Sequence, residues 1–335
     1  MKPTLLVCRG VHYQLRSLAS NKQLTDKLQL VVVQQGHQSE FNDMWPTVTS
    51  FDDRPDQAQA AHVETYYRAL VRGWNVKYVL LLPKLMWYTE LVAKVCIEEG
   101  AECFWTEDFF DGRFCIDRIG SQFTHDNEIR RYVEKASHSG APLLPTHTRA
   151  DSYQPLNVPK EMLYARYGLD QNTVCVLGQV PHDHSLLEYP GLGYVDWLKA
   201  LVIQNPDTKF AFKHHPLWAT PEIVGLPNVT VINESINSIL SAFNMVAAFS
   251  STTIFESVSA GKKVVSGGYH YLSNSELCIE EPSDLSNIVE RLQAYVIDTR
   301  RLEKWQSFLC NRYSIDLSSA QLLERLTTTS EEYFD

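Results

Sequence analysis

The chain has 335 residues, too many for one small core and about the length of two α/β domains. Its 44% hydrophobic and 21% charged residues fit an ordinary globular protein, and a net charge of −10 argues against a duplex nucleic-acid binder, which needs a basic face. No apolar run reaches membrane-spanning length, MKPTLLVCRG is too short in apolar residues for a signal peptide, and seven scattered cysteines without a CxxC pair indicate neither a disulfide framework nor a zinc site, which points to the cell interior.

Taken in chain order, Thr4 to Cys8 and Leu28 to Val33 have the length and apolar character of buried strands. Ala60 to Arg72 and Tyr88 to Glu99 read as amphipathic helices, with a strand from Tyr78 to Leu82 between them and another from Glu102 to Trp105. Such alternation predicts a parallel sheet with crossover helices. The stretch after the last of these strands, Thr106 to Arg113, reads as a loop rich in carboxylates and aromatics. Ligands of α/β sheets bind at the carboxyl ends of strands, which suits Glu107 and Asp108 for chemistry, although a solvated acidic turn has the same composition. A helix-like stretch, Glu128 to Ala136, precedes Ser137 to Pro159, which reads as an interdomain linker on its prolines and polar residues.

The second half repeats the pattern. Thr173 to Leu177 is a strand ending in Gly178, Gln179, Val180, Pro181, His182, Asp183, His184 and Ser185, which puts Asp183 beyond a strand's carboxyl end. Val195 to Gln204 is a helix, and Lys209 to Phe212 a strand running into Lys213-His214-His215-Pro216, a compact turn suited to a phosphate or, equally, a polar loop. After a strand at Val229 to Ile232 and a helix at Ile236 to Phe243 comes the most informative stretch, NMVAAFSSTTIFESVSAGKKVVSGG, from Asn244 to Gly268. It reads as a strand (Met245 to Phe249), a hydroxyl-rich turn (Ser250 to Thr253), a helix (Ile254 to Ala260) stopped at Gly261, and a strand (Lys262 to Ser266). The first turn of a helix has unpaired N–H groups that favour an anion, and Glu256 in that helix is placed to accept from ribose hydroxyls. An ordinary capped helix starts with the same residue types. The tail reads as three helices, Ser283 to Ala294, Arg301 to Cys310 and Leu317 to Leu326.

Gln179-x-x-x-Asp183-x-Ser185, Lys213-x-His215-Pro216, and Ser250-Ser251-Thr252 with Glu256 and Gly261-Lys262 together resemble the capsule polysaccharide β-Kdo transferases. In the first half Glu107-Asp108-x-Phe110 is similar to that family's Glu-Asp-Gly-Phe loop, with Phe109 in the place of the glycine. The resemblance covers roughly residues 100 to 270 and rests on the ordered set of motifs rather than any one of them.

It implies an α/β GT-B fold, two Rossmann-like domains with a cleft between them: an acceptor-side domain over residues 1–150, a donor domain over 158–315, and a C-terminal helix over 316–335 packing back on the first. It implies a retaining transfer of Kdo from CMP-Kdo to a bacterial surface glycan or glycolipid. Asp183 would be the nucleophile of a double displacement, Glu107 the acid/base and His215 a catalytic partner at the phosphate. Gln179, Ser185, Lys213, Ser250, Ser251, Thr252 and Glu256 would hold the donor. No metal or cofactor is implied, since CMP leaves with a single phosphate. Capsule or O-antigen assembly proteins are the implied partners, and the implied place is the cytoplasm, at the periphery of the inner membrane. His-Pro and Ser-Ser elements also resemble the CMP-sialic acid transferases, where the reaction inverts and Asp183 is no nucleophile. A catalytically silent GT-B glycan-binding module and a UDP-sugar 2-epimerase of similar fold complete the alternatives.

Overall fold

The computed structural model describes residues 2–8, 16–18, 20–34, 47–49, 57–81, 86–120, 127–136, 159–181, 186, 191–280 and 283–335. Their contacts divide the chain into two compact units. The described residues of Met1–Ser121, Asp126–Ser137 and Leu309–Asp335 make the first, and those of His138–Phe308 the second. Residues 309–315, expected from sequence in the donor domain, therefore lie with the first unit.

The first unit is built on β1 (Thr4–Cys8), β2 (Gln29–Gln34), β3 (Thr47–Thr49), β4 (Val76–Leu81), β5 (Glu102–Asp108) and β6 (Phe114–Asp117), in the order β6-β5-β4-β1-β2-β3. All neighbours are parallel except β5 and β6. Both faces are covered, which is why these strands read as unbroken apolar runs rather than alternating ones. Leu6, Val31, Val79 and Leu81 pack with residues of the helices Ala60–Trp74 and Met86–Glu98. Leu5, Val7, Leu30, Val32, Leu80 and Phe104, one residue out of phase, pack instead with Leu322 and Leu326 from the end of the chain.

The second unit carries β7 (Val174–Leu177), β8 (Phe210–Lys213), β9 (Val229–Val231), β10 (Met245–Ala248), β11 (Lys263–Ser266) and β12 (Ile279–Glu280). Its sheet is wholly parallel, in the order β9-β8-β7-β10-β11-β12. Counting from β7 this is the 3-2-1-4-5-6 order of a dinucleotide-binding fold, whose direction reverses between β7 and β10. The expected helix at Ser283 begins only at Ile288.

The chain leaves the second unit through the helix Thr299–Ser307, which widens into a π-helical stretch over Phe308–Tyr313. Its next residues form β13 (Ser314–Ile315), which adds to β6 in antiparallel fashion. The helices Ala320–Thr327 and Ser330–Phe334 follow. A buried ionic cluster locks this tail in place. The Glu128 carboxylate accepts from the Arg325 guanidinium, the Ser330 hydroxyl and, at 3.0 Å, the Arg118 backbone N–H. Asp117 accepts from the backbone N–H groups of Ile119, Gly120 and Glu128 and from the Tyr313 hydroxyl. Among the described residues, no helix is long and apolar enough to cross a membrane. All seven cysteines are buried free thiols.

Candidate functional site

At a topological switch point the chain connections leave in opposite directions and open a crevice at the carboxyl ends of the two central strands. In the second unit those strands are β7 and β10, and the residues just beyond them interlock. The Ser250 backbone N–H donates to Gln179 Oε1 at 2.7 Å, and Gln179 Nε2 donates to Ser250 Oγ at 3.2 Å. Both side chains are buried, at 6% and 1% exposure, so each is held by the other. The Gln179 backbone N–H donates to the Tyr194 hydroxyl at 2.7 Å, which fixes the loop from below.

Gly178 joins this clasp to β8. Its N–H donates to the Lys213 carbonyl at 2.8 Å. A Cβ there would lie 2.9 Å from that oxygen and 3.0 Å from the His215 nitrogen, so only glycine lets the two loops come this close. One dipeptide thus touches the His215 turn on one side and Ser250 on the other. On the far side of Ser250, Phe249 packs edge-on against Tyr194 and Trp197. Gly267 and Gly268 make room for it, since a Cβ on either would come within 2.7 Å of the Phe249 ring. The glycine pair after β11 is thus what allows Phe249 to sit under the serine turn.

The histidines are oriented by the backbone after them. Leu217 N–H donates to His215 Nδ1 at 3.2 Å, and Thr220 N–H to His214 Nδ1 at 3.1 Å. Each Nδ1 is therefore an acceptor, and the neutral rings carry their protons on Nε2. Burial, with the neighbouring Lys213 charge, lowers the His214 pKa and so favours its neutral form. Lys213 is half-buried and its own pKa is lowered, chiefly by burial, with Cys175 and Glu234 acting in the opposite sense. Since Phe212 points into the apolar core of one sheet face, Lys213 projects on the other.

The serine turn leads into the helix Thr253–Ser259. Ser251 Oγ accepts from the Thr253 N–H two residues on at 3.2 Å, as a serine does in a turn, and the N-cap residue Thr252 makes no side-chain cap bond. Ser251 and Thr252 are half-buried, and Glu256 is buried in the first turn. Of the residues expected at the site, the fold gathers Gln179, Lys213, His215, Ser250, Ser251, Thr252 and Glu256 at one end of one sheet. Asp183 and Ser185 lie outside the described residues.

Glu107 belongs to the first unit, and its surroundings correct the expectation of a loop. β5 continues through Asp108, and Glu107 stands opposite Cys115 of β6 in an antiparallel pair. The carboxylates hide the end of a strand whose buried residues are Cys103, Phe104 and Thr106. The Phe109 and Phe110 rings are buried 4.2 Å apart at the hairpin's turn, and Glu107 is half-buried with Asp108 exposed.

A second polar group, missed in the sequence, lies past β11. The donor atoms of His270, Cys278 and Glu280 come within 4.8 Å of one another. His270 Nδ1 accepts from the Leu272 N–H at 3.1 Å, so the ring proton sits on Nε2, 2.9 Å from Ser266 Oγ. A metal at Nε2 would have to displace that proton, and burial pushes the Cys278 thiol up, away from the thiolate a metal needs. The group is built as a hydrogen-bonded brace.

No protein-family model and no curated protein sequence matches the chain. Solved structures do. The Thermosulfurimonas dismutans KpsC β-Kdo 2,7 transferase aligns over 97% of this chain and 100% of its own, at 15% identity and a TM-score of 0.54. The β-Kdo 2,4 transferase of KpsC from the same organism covers 90% and 89% at 15% identity, with a TM-score of 0.45. A UDP-N-acetylglucosamine 2-epimerase from Rickettsia bellii covers 99% and 98% at 11% identity, with a TM-score of 0.48. Two Rossmann-like sheets and the likeness to the 2,7 transferase over 97% of this chain make this an α/β protein of the GT-B fold.

Proposed function

We propose that the chain is a retaining glycosyltransferase that moves Kdo from CMP-Kdo to a glycan or glycolipid acceptor. What supports this reading above all is the Gly178–Gln179 dipeptide, which ties the His215 turn to the Ser250–Thr252 turn at the switch point of the second sheet. The order of motifs resembling β-Kdo transferases and the fold shared with a β-Kdo 2,7 transferase point the same way.

In the first step the Asp183 carboxylate attacks carbon 2 of Kdo, the bond from carbon 2 to the phosphate oxygen breaks, and CMP leaves with the electron pair. His215, whose proton is held on Nε2, donates to the departing phosphate, as do the Ser251 and Thr252 hydroxyls. Glu256 takes the ribose hydroxyls. Gln179 and Ser250 act as positioning residues, because each holds the other. In the second step the acceptor hydroxyl attacks carbon 2, Glu107 takes its proton, and the bond to Asp183 breaks, which restores the carboxylate. Two inversions give retention. The donor leaves one phosphate, so cationic and hydroxyl side chains suffice to stabilise it without a metal.

The test is a trapped adduct. Glu107→Gln incubated with CMP-Kdo should gain the mass of one Kdo unit on the peptide carrying Asp183, while Asp183→Asn should gain none and transfer nothing. Transfer by Asp183→Asn at the wild-type rate would end the double-displacement reading in favour of a single inverting displacement. A melting temperature raised by UDP and not by CMP would end the CMP-sugar reading altogether.

A further inference from the structure

Past β11 the chain makes a compact loop, Tyr269 to Cys278, before it enters β12. Its inner residues Tyr271, Leu272 and Leu277 are at most 1% exposed, so the loop is packed as core and not as a surface connection. The His270 brace lies at its centre. The ring donates from Nε2 to Ser266 Oγ at the end of β11 and accepts at Nδ1 from the Leu272 N–H. The His270 backbone N–H donates to Ser273 Oγ at 2.8 Å. The outer turn is tied down as well. Glu276 has a φ of 56°, in the left-handed region that a glutamate seldom adopts. Its carbonyl accepts from the Tyr295 hydroxyl at 2.7 Å, and its carboxylate pairs with Arg301. Strain of this kind persists only where the surroundings over-determine it, and it gathers at ligand clamps and active sites.

The strand ladder shows where the loop begins. β10 and β11 pair Ala248 with Ser266, and the Gly268 N–H, donating to the Phe249 carbonyl at 2.9 Å, extends that register past both strands. Gly268 therefore stands beside Ser250, and Tyr269 follows at the level of Ser251. Gly267 and Gly268 have no side chains, so Tyr269 is the first side chain that the sequence offers beyond the carboxyl end of β11. Carboxyl ends beside a switch point are where ligands of such sheets bind. Tyr269 is half-buried, as are Ser251 and Thr252.

We propose that Tyr269 is a further donor-binding residue, whose hydroxyl donates to the phosphate of the nucleotide sugar, and that the His270 brace positions it. This rests on the reading of the Ser250–Thr252 turn as the phosphate site. A phosphate presents acceptor oxygens in several directions. The serine turn meets it from β10 and His215 from β8, while a phenol, with its hydroxyl at the end of a rigid ring, meets it from β11.

Calorimetric titration of the full chain with CMP tests the assignment. Tyr269→Phe should weaken CMP binding about tenfold or more, as expected for one hydrogen bond to a charged group, with the melting temperature of the free protein unchanged. At saturating CMP, the phosphorus resonance of the bound nucleotide should differ between the two proteins. Equal CMP affinity would overturn the proposal. So would weaker binding with an unmoved phosphorus resonance, which would put the hydroxyl on the nucleoside. His270→Gln should weaken CMP binding by itself but no further when added to Tyr269→Phe, since both act through one contact. Additive losses would overturn the positioning role of the brace. A wild type that binds no CMP would remove the CMP-sugar reading itself, whereas CMP binding that Tyr269→Phe leaves intact would remove this inference alone.

Discussion

The two units bury polar groups in opposite ways. In the first, Glu128 and Arg325 form an ion pair shut off from solvent, with Ser330, Arg118 and the Asp117–Tyr313 bond around it. Both residues are at most 1% exposed. In the second, the Gln179–Ser250 clasp is neutral, and the side chains next to it along the chain, Ser251 and Thr252, remain half-buried. The closed ionic cluster fastens the tail to the sheet. The neutral clasp fixes a turn without occupying the groups beside it, which is what a binding site requires of its support. Buried polarity alone does not mark a site; half-exposed groups held by a buried, satisfied partner do.

That contrast can be tested from its strongest side. Arg325→Met leaves the Glu128 carboxylate buried without its cation, and should cost about 3–5 kcal/mol, the usual penalty for breaking a buried pair. Chemical denaturation would read it, and a loss under about 1 kcal/mol, that of a surface pair, would mean that the cluster is open to water. CMP binding by the fraction that remains folded should be preserved.

The clasp should give a smaller loss of stability and a larger loss of binding. Gln179→Ala leaves the Ser250 N–H buried without an acceptor, a cost of about 1–3 kcal/mol, and frees the turn that carries Ser251. Gln179→Glu keeps the acceptor and should recover part of both. Calorimetric titration with CMP would separate the two variants. Equal CMP affinity in wild type and Gln179→Ala would show that the clasp serves stability alone.

The remaining effect is spread over a range of pH. Burial, with the Glu128 charge beside it, pushes the Asp117 carboxyl up to about 7, against the backbone N–H groups of Gly120, Ile119 and Glu128 that favour its ionised form. The folded state then holds a proton more tightly than the unfolded one, whose carboxyl titrates near about 4. The stability from this group is present in full below that lower pKa and is lost as pH rises toward about 7, by at most about 1.4 kcal/mol per pH unit. Unfolding free energies between these limits should show a smaller change with pH in Asp117→Asn than in wild type. An identical pH dependence would remove Asp117 as the source.

Much of the secondary structure was legible because parallel strands buried on both faces are written as unbroken apolar runs. Thr4–Cys8 matches its reading at both ends, and β7 to β11 fall within a residue or so of theirs. The short antiparallel additions were not legible. β13 has two residues and β6 four, too few for any period to show, and Glu107 and Asp108 look like a loop because their carboxylates interrupt the apolar pattern of β5.

The residue types of the proposed donor site, the hydroxyl turn and the Lys-x-His-Pro turn, were present in the sequence because local βαβ segments carry them whole. The sequence also determined the alternation of strands and helices, since hydrophobic period and turn residues act over a few positions. What only the tertiary structure decided is which segments meet. Strand order places β10 beside β7 and makes neighbours of Gln179 and Ser250, 71 positions apart. The return of the tail joins Glu128 to Arg325 across 197 positions. Such pairs leave no local signature, because a buried hydrogen bond or ion pair depends on the distance between two side chains in space, and sequence spacing fixes that distance only within a single element.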